Sequence, residues 1–334
     1  MKKNFLNLFW FFLGIIITIM AFELYLKGTE IKLPYKKFDT VYGSTYQKNS
    51  SIQIHKEGFF LGKTNKYGFV GNIEGFSSKN YNIAFYGDSF TEAFQLKSEN
   101  NFTSLIEKEL NKKTAVKTTV LNFGISNVLL KDLFIRKKTL GSKFKIDLDI
   151  YFLDNLQFIY YPEGIFNGLD LQNTCNNLEV VPNNSKSFQL YKKIAFFVEN
   201  SSCLNLFLDM IFVIKRNQFT FFQSNSNNSR IFDNNINTVD GYDNMPKINT
   251  LILSELEKEN SIFIFRETVN PKVKKLLRQY KIPFFECKPI LDSLRNKGIN
   301  PYYWERTRTI GHLNPIAHRI LANHISNIVI NHKK

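Results

Sequence analysis

The spacing of apolar and polar positions divides the chain into stretches with different rhythms. From Phe5 to Phe22 runs an apolar segment that contains Asn7 but no charge. About 18 residues at 1.5 Å per residue nearly match a bilayer core, so the pattern predicts a single membrane helix. From Glu23 to about residue 80 follows a glycine-punctuated lead-in with short aromatic segments, KEGFFLG and NKYGFVG, which predict turns and short strands. No residue of this lead-in calls for a chemical role. An alternating rhythm then begins. Strands are expected at Ile83–Tyr86, Val116–Phe123 and Ile146–Leu153, separated by helices at Phe102–Leu110 and Val128–Lys138.

From 157 to 247 the rhythm breaks. An apolar stretch, Phe188–Ile214, is interrupted by Lys192, Lys193, Glu199, Asn200 and Asp209, which predicts helices packed on the domain rather than a second span. A polar run, SNSNNSRIFDNNIN, follows and has too little apolar surface to enter a core. The alternation resumes with a helix at Ile248–Lys258, a strand at Ser261–Phe265, a helix at Pro271–Tyr280, a strand at Ile282–Phe285 and a closing helix at Pro315–Ile330. Five strands alternating with helices predict an α/β three-layer sandwich on a mostly parallel five-stranded sheet. The expected organisation is an anchor over 1–22, a lead-in over 23–78 and a domain over 79–334 with an insertion at 157–247.

Charge and cysteine content refine this picture. The 334-residue chain carries a formal charge of +15, which suits an anionic neighbour such as lipid headgroups or an acidic glycan. No dense basic block with interleaved aromatics argues for nucleic acid. Cys175, Cys203 and Cys287 follow no metal-ligand spacing with one another or with the five histidines, so a structural zinc site is not expected. Cys287 lies in an apolar run and reads as a core residue; Cys175 and Cys203 would close the insertion if they paired outside the cytoplasm. The Lys2-Lys3 pair favours a cytoplasmic amino terminus, against Lys27, Lys32, Lys36 and Lys37 on the far side. A cleaved signal peptide competes with an uncleaved anchor, but Ile19-Met20-Ala21 is a poor cleavage site. The expectation is therefore a single-pass anchor with the domain outside the cytoplasm.

The candidate chemistry lies at Gly87-Asp88-Ser89, where a strand ends and a helix begins. Strand, tight turn and helix place the Ser89 hydroxyl beside unpaired backbone N–H groups at a helix start. Three further features stand at the ends of later elements: Gly124 in LNFGISN, Asn155 after the third strand, and His312 just before the closing helix. A hydroxyl nucleophile needs a base, which His312 supplies, and the developing oxyanion needs fixed donors. The N–H groups of Ser89 and Gly124 and the side-chain amide of Asn155 are the candidates. Asp88, beside the nucleophile, is expected to hold the turn through backbone hydrogen bonds. His318 and His324, on the closing helix, read as surface or packing residues.

These four segments, in this order, resemble the blocks of the SGNH (GDSL-like) hydrolase superfamily. The resemblance implies a flavodoxin-like fold, Ser89 as nucleophile, His312 as general base and an oxyanion hole of Ser89, Gly124 and Asn155. It extends over roughly 66–124, 147–155 and 302–330 and leaves the insertion unexplained. Two positions depart from the family pattern. Asp154 and Leu156 flank Asn155 where the family has glycine and aspartate. In the closing block, Ile310 and Thr309 stand where the family places the aspartate that orients the histidine. Three arrangements remain open: a Ser89–His312 dyad with the ring held by a backbone carbonyl or the Thr309 hydroxyl, an acid from elsewhere with Glu305 the nearest, or a site that no longer turns over. The implied activity is a membrane-anchored esterase acting on an acylated glycan or lipid, with no metal or organic cofactor. An O-acyltransferase on the same acyl-enzyme and a catalytically silent glycan-binding protein are the alternatives.

Overall fold

Alternation within the apolar runs decides which layer each strand side chain meets. The computed structural model describes residues 2–28, 36–54, 57–71, 73, 75–158, 168–174, 177–204, 206–207 and 245–332. In chain order the elements are α1 (Lys2–Gly28), β1 (Lys36–Asp39), β2 (Gly43–Tyr46), β3 (Ser51–Ile54), β4 (Phe60–Lys63), β5 (Tyr81–Gly87), α2 (Ser89–Glu92), α3 (Phe102–Lys113), β6 (Thr118–Asn122), α4 (Leu130–Thr139) and β7 (Leu148–Leu153). They continue with β8 (Leu169–Thr174), β9 (Asn177–Pro182), α5 (Lys186–Asn200), α6 (Lys247–Leu256), β10 (Ser261–Phe265), α7 (Pro271–Gln279), β11 (Phe284–Glu286), α8 (Lys288–Asn296), β12 (Tyr303–Trp304), β13 (Thr309–Ile310) and α9 (Pro315–His332).

Five strands form one sheet in the order β11-β10-β7-β5-β6, and every pairing in it is parallel. Successive side chains of a strand point to opposite faces. Ile83, Phe85, Ile150, Phe152, Ile262 and Ile264 therefore join Ile106 of α3, Leu291 of α8 and Leu321 of α9 in one core. Ala84, Tyr86, Tyr151, Leu153, Phe263 and Phe265 face the other way, onto Leu133 of α4, Ile252 of α6 and Val273 of α7. This is the three-layer α/β sandwich that the alternation predicts. The central strands bury side chains on both faces, which is why residues 83–86, 150–153 and 262–265 read as unbroken apolar runs.

Beyond β5 the chain goes first to one side of it, to β6, and then to the other, to β7. Open α/β sheets place their crevice where the strand order reverses, outside the carboxyl ends of the strands. That crevice lies at Gly87.

The lead-in forms two antiparallel hairpins, β1–β2 and β3–β4. They are built into the main core: Tyr46, Ile52 and Phe60, with Phe69 just beyond, are buried there, and the rings of Tyr46 and Phe60 pack on that of Phe94 just past α2. The insertion is not purely helical, because β8–β9 is an antiparallel hairpin ahead of α5. The polar run and the apolar stretch beyond 207 lie outside the described residues, as does Cys175; Cys203 carries a free thiol. Cys287 is fully buried, and burial pushes its thiol up to about 12, so it is a neutral core side chain.

Among the described residues one helix, over Phe5–Gly28, is long and apolar enough to be a membrane anchor or a signal sequence; its most apolar stretch is not buried against the rest of the chain, while Leu26 near its end is.

Candidate functional site

The turn that carries Ser89 is set by its neighbours. Asp88 caps α2 by accepting the Phe90 N–H at 2.9 Å, the role the sequence suggests for it. Ser89 is the first residue of this short helix, and no internal acceptor for its N–H is found among the described residues. Orphan N–H groups are what a helix start leaves behind. α2 ends after one turn because Ala93 adopts a left-handed conformation, φ 56°. Glu92, on the same turn, accepts hydrogen bonds from the hydroxyls of Tyr46 and Ser126. It thereby ties the Ser89 helix to the lead-in on one side and to the loop after β6 on the other.

His312 reaches the same point from the far end of the chain. Asn314 caps α9 through the N–H groups of Ile316 and Ala317, at 3.1 and 3.0 Å, and its amide donates to the carbonyls of Asn300 and Tyr303. The Trp304 indole N–H donates to the His312 carbonyl at 2.8 Å. Held on both sides, the imidazole places Nε2 at 2.7 Å from Ser89 Oγ.

The group behind the ring is Glu57, in the loop of the β3–β4 hairpin. Both carboxylate oxygens lie 3.0 Å from His312 Nδ1, and the His312 backbone N–H donates to Oε2 at 2.9 Å. A carboxylate only accepts, so Nδ1 carries the proton and Nε2 turns a lone pair to the Ser89 hydroxyl. Glu57 is 7% exposed, and its carbonyl accepts from the Thr307 hydroxyl at 3.1 Å. Neighbouring glycines make room for it. A Cβ at Gly311 would stand 2.3 Å from the Glu57 carboxyl carbon, and one at Gly58 would stand 2.0 Å from the Gln95 carbonyl oxygen.

This corrects two expectations. The lead-in does contribute a chemical group, and the ring is oriented by neither Thr309 nor Glu305. The Thr309 hydroxyl pairs with that of Thr307 at 2.8 Å on the β12–β13 hairpin, and Glu305 is exposed there.

The expected oxyanion donors fare differently from one another. The Asn155 amide donates to the Thr268 carbonyl and its oxygen accepts from the Asn270 N–H, both at 2.8 Å. Its side chain thus fastens the loop after β10 with one of its two amide hydrogens. The Gly124 N–H donates to the Asn122 side chain at 2.9 Å, and a Cβ there would sit 2.4 Å from the Glu92 nitrogen. Gly124 is needed for close packing on α2. Of the three, the Gly124 N–H is taken up within its own turn, whereas the Ser89 N–H and the second amide hydrogen of Asn155 have no acceptor among the described residues.

Arg266, just past β10, is a further residue that periodicity does not single out. It forms an ion pair with Asp154, and its guanidinium lies 3.8 Å from Asp88. Burial works against its charge, but Asp154 and Asp88 more than offset this and raise its pKa above the ordinary arginine value. Its guanidinium carbon sits 3.5 Å over the ring of Phe90, whose centroid is 4.7 Å from that of His312. Gln157 also donates to Asp88, at 3.1 Å. The floor beneath Ser89 is therefore a charged, hydrogen-bonded layer. Among the described residues no cluster of His, Cys, Asp and Glu is arranged to hold a metal ion.

No protein-family model and no curated protein matches the sequence. Solved structures do resemble the chain. An acetyl xylan esterase aligns over 74% of this chain and 99% of its own at 15% identity and a TM-score of 0.40. A lipase/acylhydrolase from Enterococcus faecalis aligns over 75% and 95% at 12% identity and a TM-score of 0.38. An acetylxylan esterase from Geobacillus stearothermophilus aligns over 75% and 94% at 12% identity and a TM-score of 0.36. At such identities and TM-scores, what this site can do rests on its own atoms.

Proposed function

We propose that this chain is a membrane-anchored serine esterase of the SGNH type, acting through a Ser89–His312–Glu57 triad. The observation that carries the reading is the continuous line from Ser89 Oγ through His312 to the Glu57 carboxylate. Ser89 attacks an ester carbonyl as His312 Nε2 takes its proton. Glu57 holds the ring in the productive tautomer and stabilises the imidazolium that forms. The Ser89 N–H faces the developing oxyanion. His312 then returns the proton to the leaving alcohol, and water releases the acid from Ser89 by the reverse sequence. A silent binding protein is motivated by a missing acid, and Glu57 removes that motive.

The apolar helix and the net charge of +15 favour an ester fixed in the cell envelope, an O-acetyl group on a glycan or a lipid ester, over a soluble metabolite. In this reading the helix is retained and the domain lies outside the cytoplasm. A fluorophosphonate probe tests the nucleophile: wild type is labelled and Ser89→Ala is not, and the reading falls if both or neither react. Acetate release from an acetylated polysaccharide that needs no added sugar acceptor marks an esterase, whereas dependence on the acceptor marks an acyltransferase.

A further inference from the structure

Glu23 stands near the carboxyl end of the apolar helix, and its carboxylate is occupied by a distant part of the chain. It accepts from the Ser201 hydroxyl at 3.0 Å, the Ser202 N–H at 2.9 Å and the Cys203 N–H at 2.8 Å, and pairs with Lys27 at 3.0 Å. These bonds pin the turn after α5 to α1. The apolar run from Phe5 to Phe22 covers roughly 27 Å as a helix, close to the hydrocarbon thickness of a bilayer. A membrane spanned by that run therefore puts Glu23, and the turn fastened to it, at the headgroup level.

The outer face of α5 suits that level. Lys186, Leu190, Lys193 and Phe197 follow one another at spacings of four, three and four residues, which lines them up on one side of a helix. Leu190 is 65% exposed and Phe197 64%, while Phe188, on the opposite side, is buried. Past the pinned turn Phe207 is 58% exposed. Large apolar side chains interleaved with lysines are the pattern of helices that lie in a membrane interface, the rings below the headgroups and the ammonium groups among them.

We infer that α5 and the turn after it form a second membrane contact beside the anchor. Leu190, Phe197 and Phe207 enter the headgroup–acyl boundary, and Lys186 and Lys193 meet anionic lipid. The inference rests on the reading of α1 as a retained anchor and is independent of the esterase chemistry. A lone spanning helix leaves a domain free to swivel, whereas a second contact fixes the face it turns to the membrane.

The test uses the full chain in phosphatidylcholine–phosphatidylglycerol vesicles whose acyl chains carry bromine near the headgroup, read by tryptophan quenching. Trp10, within α1, reports the anchor in the wild type, and Trp304 is buried away from it. In a Trp10→Phe background, Leu190→Trp and Phe197→Trp are each expected to lose emission roughly twofold on bromination, and Lys193→Glu to weaken that loss. Quenching of Trp10 without quenching at position 190 or 197 overturns the inference and leaves the anchor standing. Quenching at 197 alone confines the contact to the last turn of α5 and overturns the placement of its whole outer face. A blue shift at 190 that grows with protein concentration in unbrominated vesicles marks a protein interface and overturns it as well. Without Trp10 quenching both the anchor and this inference fall, while the fluorophosphonate result is untouched.

Discussion

Glu57 and Gly311 act as a pair, since the carboxylate occupies the space that any side chain at 311 would take. Glu57→Gln keeps the shape but loses the charge facing the imidazolium. Turnover of p-nitrophenyl acetate should fall by about 10²–10⁴ with KM little changed, in line with loss of the orienting carboxylate in serine hydrolases. Gly311→Ala should bring a comparable loss in kcat although it touches no reacting atom, and a stopped assay on both variants checks this. His318 offers a different test. It is 1% exposed, and its Nδ1 accepts the Phe102 N–H at 3.0 Å. Burial, with His312 nearby, pushes its pKa down from 6.5 to about 3. Between these values the unfolded chain binds the proton and the folded chain does not, so the contribution to stability is complete above about 6.5 and is lost as pH falls. The loss approaches 1.4 kcal/mol per pH unit, roughly 2 kcal/mol by pH 5. Denaturant titrations from pH 7 to 4.5 should show this slope in the wild type and a shallower one in His318→Gln.

At the scale of elements, the active site depends on caps and hairpin loops more than on the sheet itself. Asn314 both caps α9 and ties the segment ahead of it to Asn300 and Tyr303. Asn314→Ala should cost about 1 kcal/mol from the cap alone, seen as a lower denaturation midpoint at unchanged m-value, with a drop in kcat as His312 loosens. The β3–β4 hairpin does more than cover the core. Its strands bury Ile52 and Phe60, and this packing holds the loop bearing Glu57 against Trp304 and Gly311. α2 is fastened through Glu92 to two other elements, which fixes Ser89 in a helix too short to be stable by itself.

For the whole molecule, the site collects groups from the lead-in, from the end of β5 and from the start of α9. Ser89 and His312 are 223 residues apart in the chain, and Glu57 and His312 are 255 apart. The lead-in between the apolar helix and the sheet therefore supplies the carboxylate that holds His312, and it joins the apolar helix to the candidate site. If α1 is retained, the full-length protein should stay in the membrane pellet through alkaline carbonate extraction, and mass spectrometry should find the residues preceding Ala21 still present. Release with a shortened amino terminus would mark a signal sequence.

The sheet was legible because two-sided burial writes itself locally: Tyr81–Gly87, Leu148–Leu153 and Ser261–Phe265 are apolar runs bounded by turns, and each is a strand. Ser89 and His312 were legible because a strand-ending turn and a proline-started helix are local features as well. The acid was not. Glu57 resembles any glutamate beside a glycine, and only hairpin packing and the empty space at Gly311 carry it to the imidazole. Gly124 shows the same limit: nearby sequence marks a donor, but the Asn122 side chain decides where its N–H points. The sequence by itself determined the layers, the succession of strands and helices along the chain and the positions of Ser89 and His312 at the ends of their elements, since these follow from local burial and turn chemistry. Which carboxylate completes the site, and which amides remain open to a substrate, only the tertiary structure decided, because those depend on contacts between residues far apart in the chain.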